Sequence, residues 1–180
     1  MDRLRFATVW LGGCSGCHMS FLDIDEWLVD LAGKVDLVYS PIVDTKIYPA
    51  HVDLVLVEGA VCNEDHLEMA RRLRQNTRLV VSFGDCAITG NVSAMRNPLG
   101  GADNVLQRAY LQDVDLHPQI PHAPGIVPPL LDRVQPLHEI IPVDYYLPGC
   151  PPPADRIRNL LEQLLAGKPV QLAAAEIRFG

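Results

Sequence analysis

Short apolar runs alternate with segments of helical spacing along most of this chain, and that alternation leaves few folds open. Residues 5–11, 35–39, 52–57, 79–83 and 143–147 are rich in β-branched, aromatic or leucine side chains, and the first is closed by Gly12-Gly13. Between the first two runs Met19, Leu22, Trp27, Leu28 and Leu31 recur at helical spacing, with Asp23, Asp25 and Glu26 among them, which predicts a helix over 18–31. Asn63 can cap a second helix over 64–75, whose last turn carries Arg71, Arg72 and Arg74. Ile157, Leu160, Leu161, Leu164 and Leu165 form the apolar stripe of a third over 154–166, ended by Gly167 and Pro169. Strands alternating with helices predict an α/β fold: an open parallel sheet with helices on both faces.

At 180 residues the chain has the size of one domain, and residues 1–180 are read as one. Eleven of the fifteen prolines fall between Pro118 and Pro153, so the segment from about 117 to 153 should be extended and free of long helices, and it offers a partner surface. A net charge of −7 provides no broad basic field for a phosphate backbone, which argues against nucleic acid. The opening residues lack the apolar stretch and cleavage site of a signal peptide, and no membrane span follows; a cytoplasmic protein is expected. Five cysteines, an odd number, argue against a disulfide framework in a reducing compartment and favour metal binding or redox chemistry.

In an open parallel sheet the ligand crevice lies beyond the carboxyl ends of the strands. Cys14 and Cys17 follow the first run in GGCSGCH, Cys62 follows VDLVLVEG, Cys86 follows LVVSFGD and Cys150 follows VDYYLPG. All five thiols should therefore gather on one edge. Gly12, Gly13, Gly16, Gly84 and Gly149 permit tight turns and bring backbone N–H groups near an anionic guest, while Pro151, Pro152 and Pro153 stiffen the last loop. Four thiolates complete a [4Fe-4S] cluster. Spacing alone does not say which cysteine is spare; Cys62 lacks a flanking glycine or proline and adjoins the Asn63 cap, and a small buried thiol suffices to explain it.

The blocks W-L-x2-C-S-G-C at 10–17, V-E-G-A at 57–60, G-D-C-A at 84–87 and P-G-C-P-P at 148–152, in this order and spacing, resemble the small subunit of [NiFe] hydrogenases. The resemblance covers most of residues 5–165. It implies a flavodoxin-like domain whose Cys14, Cys17, Cys86 and Cys150 hold one proximal [4Fe-4S] cluster, with Cys62 at no ligand position. It also implies a [NiFe] large subunit that carries the Ni-Fe centre and reacts with dihydrogen, because this chain has no second Cys-x-x-Cys pair to hold nickel and iron.

Small subunits with a twin-arginine leader and a C-terminal domain bearing cysteines and histidine hold further clusters. These 180 residues contain neither feature, so the resemblance implies a single cluster and an expected likeness to the cytoplasmic, NAD-reducing bidirectional hydrogenases. There electrons pass to diaphorase subunits with further Fe-S clusters and FMN. Coenzyme F420-reducing and heterodisulfide-linked hydrogenases rank lower, since their added cluster motifs are not found. The small subunit of complex I is the nearest competitor in fold, but its first motif has adjacent cysteines, whereas Ser15 and Gly16 separate Cys14 from Cys17.

Several residues have a second reading. Glu58 is a candidate for cluster tuning or proton movement, or a carboxylate that accepts backbone hydrogen bonds at the following turn. Asp85 reads as a loop scaffold. His18 reads as a helix-start residue that bonds a sulfide or packs at an interface, and Trp10 and Trp27 as core or interface residues. No phosphate loop follows the first strand, so no flavin is expected in this chain. Two rival functions remain on the residues alone: a thioredoxin-like dithiol enzyme built on C-S-G-C, which leaves Cys86 and Cys150 without a role, and a zinc-stabilised binding module.

Overall fold

The computed structural model describes residues 3–174, 177 and 179; the rest of the domain expected over 1–180 lies outside the described residues. In chain order the regular elements are β1 (Leu4–Trp10), α1 (Gly16–Leu22), α2 (Trp27–Lys34), β2 (Val35–Tyr39), β3 (Val52–Glu58), β4 (Val61–Asn63), α3 (Glu64–Asn76) and β5 (Thr77–Phe83). The short helices α4 (Asp85–Thr89), α5 (Asn91–Ala94) and α6 (Ala102–Gln107) follow, then β6 (Leu130–Gln135), β7 (Tyr145–Leu147) and α7 (Ala154–Leu165). Strands β2-β1-β3-β5-β7 form one parallel sheet in that order, and β4 and β6 pair antiparallel in a separate ribbon. The sheet order steps outward from β1 in both directions, the flavodoxin-like order whose switch point lies between β1 and β3.

The period of two in the strands divides the core. Phe6, Leu54, Leu56, Val81 and Phe83 face the side covered by α1, α2 and α7, with Trp27, Leu31, Ile157, Leu160 and Leu161. Ala7, Val9, Val55, Val57 and Val80 face the side covered by α3 and residues 137–141, with Ala70, Leu73 and Leu137. Both faces are buried, as a parallel sheet requires. The Asn63 side chain caps α3 by accepting the His66 N–H at 2.8 Å.

Two expectations are corrected. The helix expected over 18–31 is two helices, because Asp25 sits in the left-handed region at φ 54° and breaks the hydrogen-bond ladder between α1 and α2. Cys62 lies inside β4 rather than in a loop, and Cys17 and Cys86 lie in the first turns of α1 and α4. Of the two tryptophans read as core or interface residues, Trp27 is buried in the core and Trp10 is 46% exposed. Residues 113–129 form no regular element, as the prolines require, and among the described residues no helix is long and apolar enough to cross a membrane.

Candidate metal centre

The loop after β1, the start of α4 and the turn after β7 meet at the carboxyl edge of the sheet, and they bring Cys14, Cys17, Cys86 and Cys150 together. Cys17 is buried, Cys86 half-buried, and Cys14 and Cys150 exposed. Burial pushes the Cys17 thiol far up, and the charges of Glu58, Cys86, Cys14 and Cys150 push it further. Burial raises Cys86 as well, reinforced by Cys150, Cys14 and Glu58. The four thiols and one carboxylate thus form a single electrostatic group. Such a donor set resists ionising together, and a cationic metal core, if bound there, would favour every thiolate at once.

The cradle is shaped around sulfur. Gly84 has φ 82°, and a Cβ there would lie 2.2 Å from the Cys17 Sγ, so the backbone before Cys86 approaches that thiol as only glycine can. Gly149, before Cys150, has φ 137°, and a Cβ there would lie 2.5 Å from the Cα of Pro152. In the C-S-G-C turn the left-handed residue is Ser15, at φ 65°, and not one of its glycines. The residues present fit a thiolate-bound inorganic core. Among the described residues no three His, Cys, Asp or Glu side chains converge on the position of a single ion.

Buried polar side chains surround these loops. The Glu58 carboxylate, 1% exposed, accepts the backbone N–H of His18 at 3.0 Å and pairs with the His18 Nδ1. Its partner is therefore α1 and not the turn that follows β3. His18 meets Glu58 and the edge of the Phe83 ring, while its Nε2 is buried with no hydrogen-bond partner. The Asp85 Oδ1 accepts the Gly149 N–H at 2.7 Å, in line with its reading as a scaffold. The Ser20 hydroxyl donates to the Pro152 carbonyl at 2.6 Å, a contact that nothing in the sequence signals.

Cys62 stands apart from this group. Its Sγ donates to the Ala60 carbonyl at 3.4 Å and occupies the hollow left by Gly12, where a Cβ would fall 2.1 Å away. Burial raises this thiol, with Arg96 and Ser93 opposing, and none of the other cysteines acts on it.

A parallel sheet in flavodoxin-like order, with four thiols gathered beyond the carboxyl ends of its strands, defines the class of this α/β protein. Residues 14–164 match the family described as NADH ubiquinone oxidoreductase, 20 Kd subunit, and the chain belongs to that family. It is 38% identical over 181 residues to the NAD-reducing hydrogenase HoxS subunit delta of Cupriavidus necator, covering 98% of this chain and 86% of that one. It is 36% identical over 183 residues to a chain of the F420-non-reducing hydrogenase of Methanothermobacter marburgensis, covering 98% of this chain and 58% of that one. The chain thus spans little more than half the length of the Methanothermobacter relatives. A crystal structure of an NAD+-reducing [NiFe]-hydrogenase in the H2-reduced state contains a chain that superposes with a TM-score of 0.94 at 41% identity, covering 99% of this chain and 100% of that one. The likeness read from the four sequence blocks, to hydrogenase small subunits and to the NAD-reducing type among them, holds.

Proposed function

We propose that this chain is the electron-transfer small subunit of a [NiFe] hydrogenase, with Cys14, Cys17, Cys86 and Cys150 as the ligands of one [4Fe-4S] cluster. The observation that carries the reading is the grouping of four thiols, drawn from positions 14 to 150, around one buried carboxylate at the carboxyl edge of the sheet. When bound, such a cluster accepts and donates one electron at a time. The chain's own part is to hold the four thiolates, to keep water from the Cys17 side and to leave the Cys14 and Cys150 side open toward partners. A tetrahedral zinc site needs its thiolates about 2.3 Å from one centre.

The partners in this reading are a large subunit with the Ni-Fe centre and a diaphorase-type Fe-S and flavin module. The balanced reaction is H2 + NAD+ = NADH + H+, and each dihydrogen sends two electrons through this chain in succession. The likeness to a chain of an NAD+-reducing enzyme supports NAD+ as acceptor, and a cytoplasmic location goes with it. Both faces of one sheet share one continuous strand set, which supports reading residues 1–180 as one cluster-carrying domain. The F420-non-reducing relatives favour a second reading, in which the same chain feeds a different acceptor.

The test is anaerobic co-purification, with iron and acid-labile sulfide counted per chain and hydrogen-dependent reduction followed with NAD+ and with an artificial dye. About four irons and four sulfides, lost in C14S, C17S, C86S or C150S and kept in C62S, are expected. One zinc without sulfide would overturn the cluster. Dye reduction without NAD+ reduction would retain the hydrogenase and reject the acceptor.

A further inference from the structure

We propose that Ser20 and Asp85 are positioning residues that clamp the Cys150 loop from two sides and so fix the fourth ligand relative to the other three. The inference rests on the cluster reading above. Cys150 follows the shortest strand of the parallel sheet, β7, and is exposed. The next three residues are prolines, which have no N–H to donate, so the loop cannot be anchored by a backbone ladder of its own.

Its anchors come from the helices that carry other ligands. Asp85 immediately precedes Cys86; its N–H donates to the Gly149 carbonyl at 3.0 Å, and its Oδ1 accepts the Gly149 N–H at 2.7 Å. Together these bonds extend the β5–β7 pairing, whose last backbone bond is Gly84 N–H to the Leu147 carbonyl at 2.8 Å, by one step that the side chain completes. On the other side Ser20, three residues beyond Cys17 in α1, donates its hydroxyl to the Pro152 carbonyl at 2.6 Å. Asp85 and Ser20 are 4% and 6% exposed, so water does not compete for either bond. The Gly149 N–H that Asp85 accepts and the Pro152 carbonyl that Ser20 binds both belong to residues within two positions of Cys150. Asp85 therefore ties Cys150 to Cys86, and Ser20 ties it to Cys17.

A clamp of this kind acts on ligand exchange. With one side released, the exposed Cys150 loop would hold its position less firmly, and a cluster bound there would be more open to chelators.

The experiment uses the complex purified anaerobically with S20A, D85A, D85N, or the control T8V, which removes a buried hydrogen bond to Ser40 that involves neither the Cys150 loop nor α1 nor α4. Iron loss to a chelator is timed, and the electron paramagnetic resonance spectrum of the dithionite-reduced protein is recorded. S20A and D85A should each release iron about tenfold faster than wild type, the scale of one buried hydrogen bond, and should shift or broaden the spectrum. D85N keeps an oxygen acceptor for Gly149 and should restore both readouts, and T8V should leave both unchanged. Wild-type release rates and spectra in S20A and D85A would overturn the clamp. If D85A does not fold, S20A decides alone by the same criteria. A wild-type chain without iron and sulfide would overturn the cluster reading, and the clamp with it.

Discussion

The carboxylate of Glu58, at the end of β3, reaches across to α1 and accepts the backbone N–H of His18 at 3.0 Å, while its second contact is the His18 ring nitrogen. It supplies what α1 does not supply for itself. The residue at the amino end, Ser15, is left-handed and its hydroxyl caps nothing, so one of the orphan donors of the first turn is served from a neighbouring strand. Glu58 is thus a remote cap for the helix that carries Cys17.

Replacing Glu58 by alanine should therefore cost the cluster-free chain about 3 kcal/mol, the scale of losing a buried carboxylate acceptor and stranding its donor. For a chain of this size that lowers the thermal midpoint by roughly 10 °C. Glu58→Gln keeps an oxygen for the His18 N–H and should lose less than half as much. Thermal unfolding followed by circular dichroism checks both values, and equal losses in the two variants would remove the capping role.

The strands and the cysteine edge were legible because both rest on local patterns. Runs such as VDLVLV give a strand wherever they are buried on both faces, and a cysteine just past a strand end lands at the carboxyl edge once the sheet is parallel. The break between α1 and α2 was not legible, since no glycine or proline marks it and Asp25 takes φ 54° only within the packed chain. The short helices α4, α5 and α6 were equally hidden. They are too brief to show a period, and tertiary contacts hold them. At the site, the ligand candidates were readable from type and spacing. Their supports were not: Ser20 meets Pro152 across 132 positions, and His18 meets Glu58 across 40.

Thiol reactivity in the cluster-free chain should follow burial. Cys14 and Cys150 are exposed and should alkylate first. Cys17 is buried, with its thiol pushed far above the ordinary range by burial and by the charges around it, so it supplies little thiolate at neutral pH. Cys62 and Cys86, half-buried and raised in the same direction, should fall between. Mass spectrometry after timed iodoacetamide exposure gives the order. Raising the pH should accelerate Cys17 most, and early labelling of Cys17 at neutral pH would contradict the geometry.

Tyr48 gives a pH dependence that is separate from the cysteines. Burial pushes its hydroxyl up to about 12, against the opposing hydrogen bond to Thr77. In the unfolded chain the same group ionises near 10. Below that value both states keep the proton, and its contribution to stability is complete. Between about 10 and 12 only the unfolded state releases the proton, so stability falls as pH rises, by about 2–3 kcal/mol in all. Urea unfolding at pH 9 and at pH 12 should show this loss in the wild type, reduced by a similar amount in Tyr48→Phe.

Gly84→Ala tests the cradle where it is tightest. At φ 82° and ψ 164°, a region that only glycine readily occupies, an alanine is strained by about 1–3 kcal/mol before any contact is counted. Its Cβ would then lie 2.2 Å from the Cys17 Sγ, a separation that no pair of such atoms sustains, so either the Cys86 turn or the Cys17 side chain must move. Gly84 also donates its N–H to the Leu147 carbonyl at 2.8 Å, which limits how far the turn can retreat. Cys17 is therefore the part that yields. The variant should fold, with a thermal midpoint lowered by several degrees, yet hold less than half of the wild-type iron and sulfide after anaerobic purification. Gly33→Ala, in open space within α2, should stay within a degree or two of wild type and keep its full complement of iron. If Gly84→Ala retained iron as fully as Gly33→Ala, the close approach of backbone to sulfur would play no part in holding the cluster.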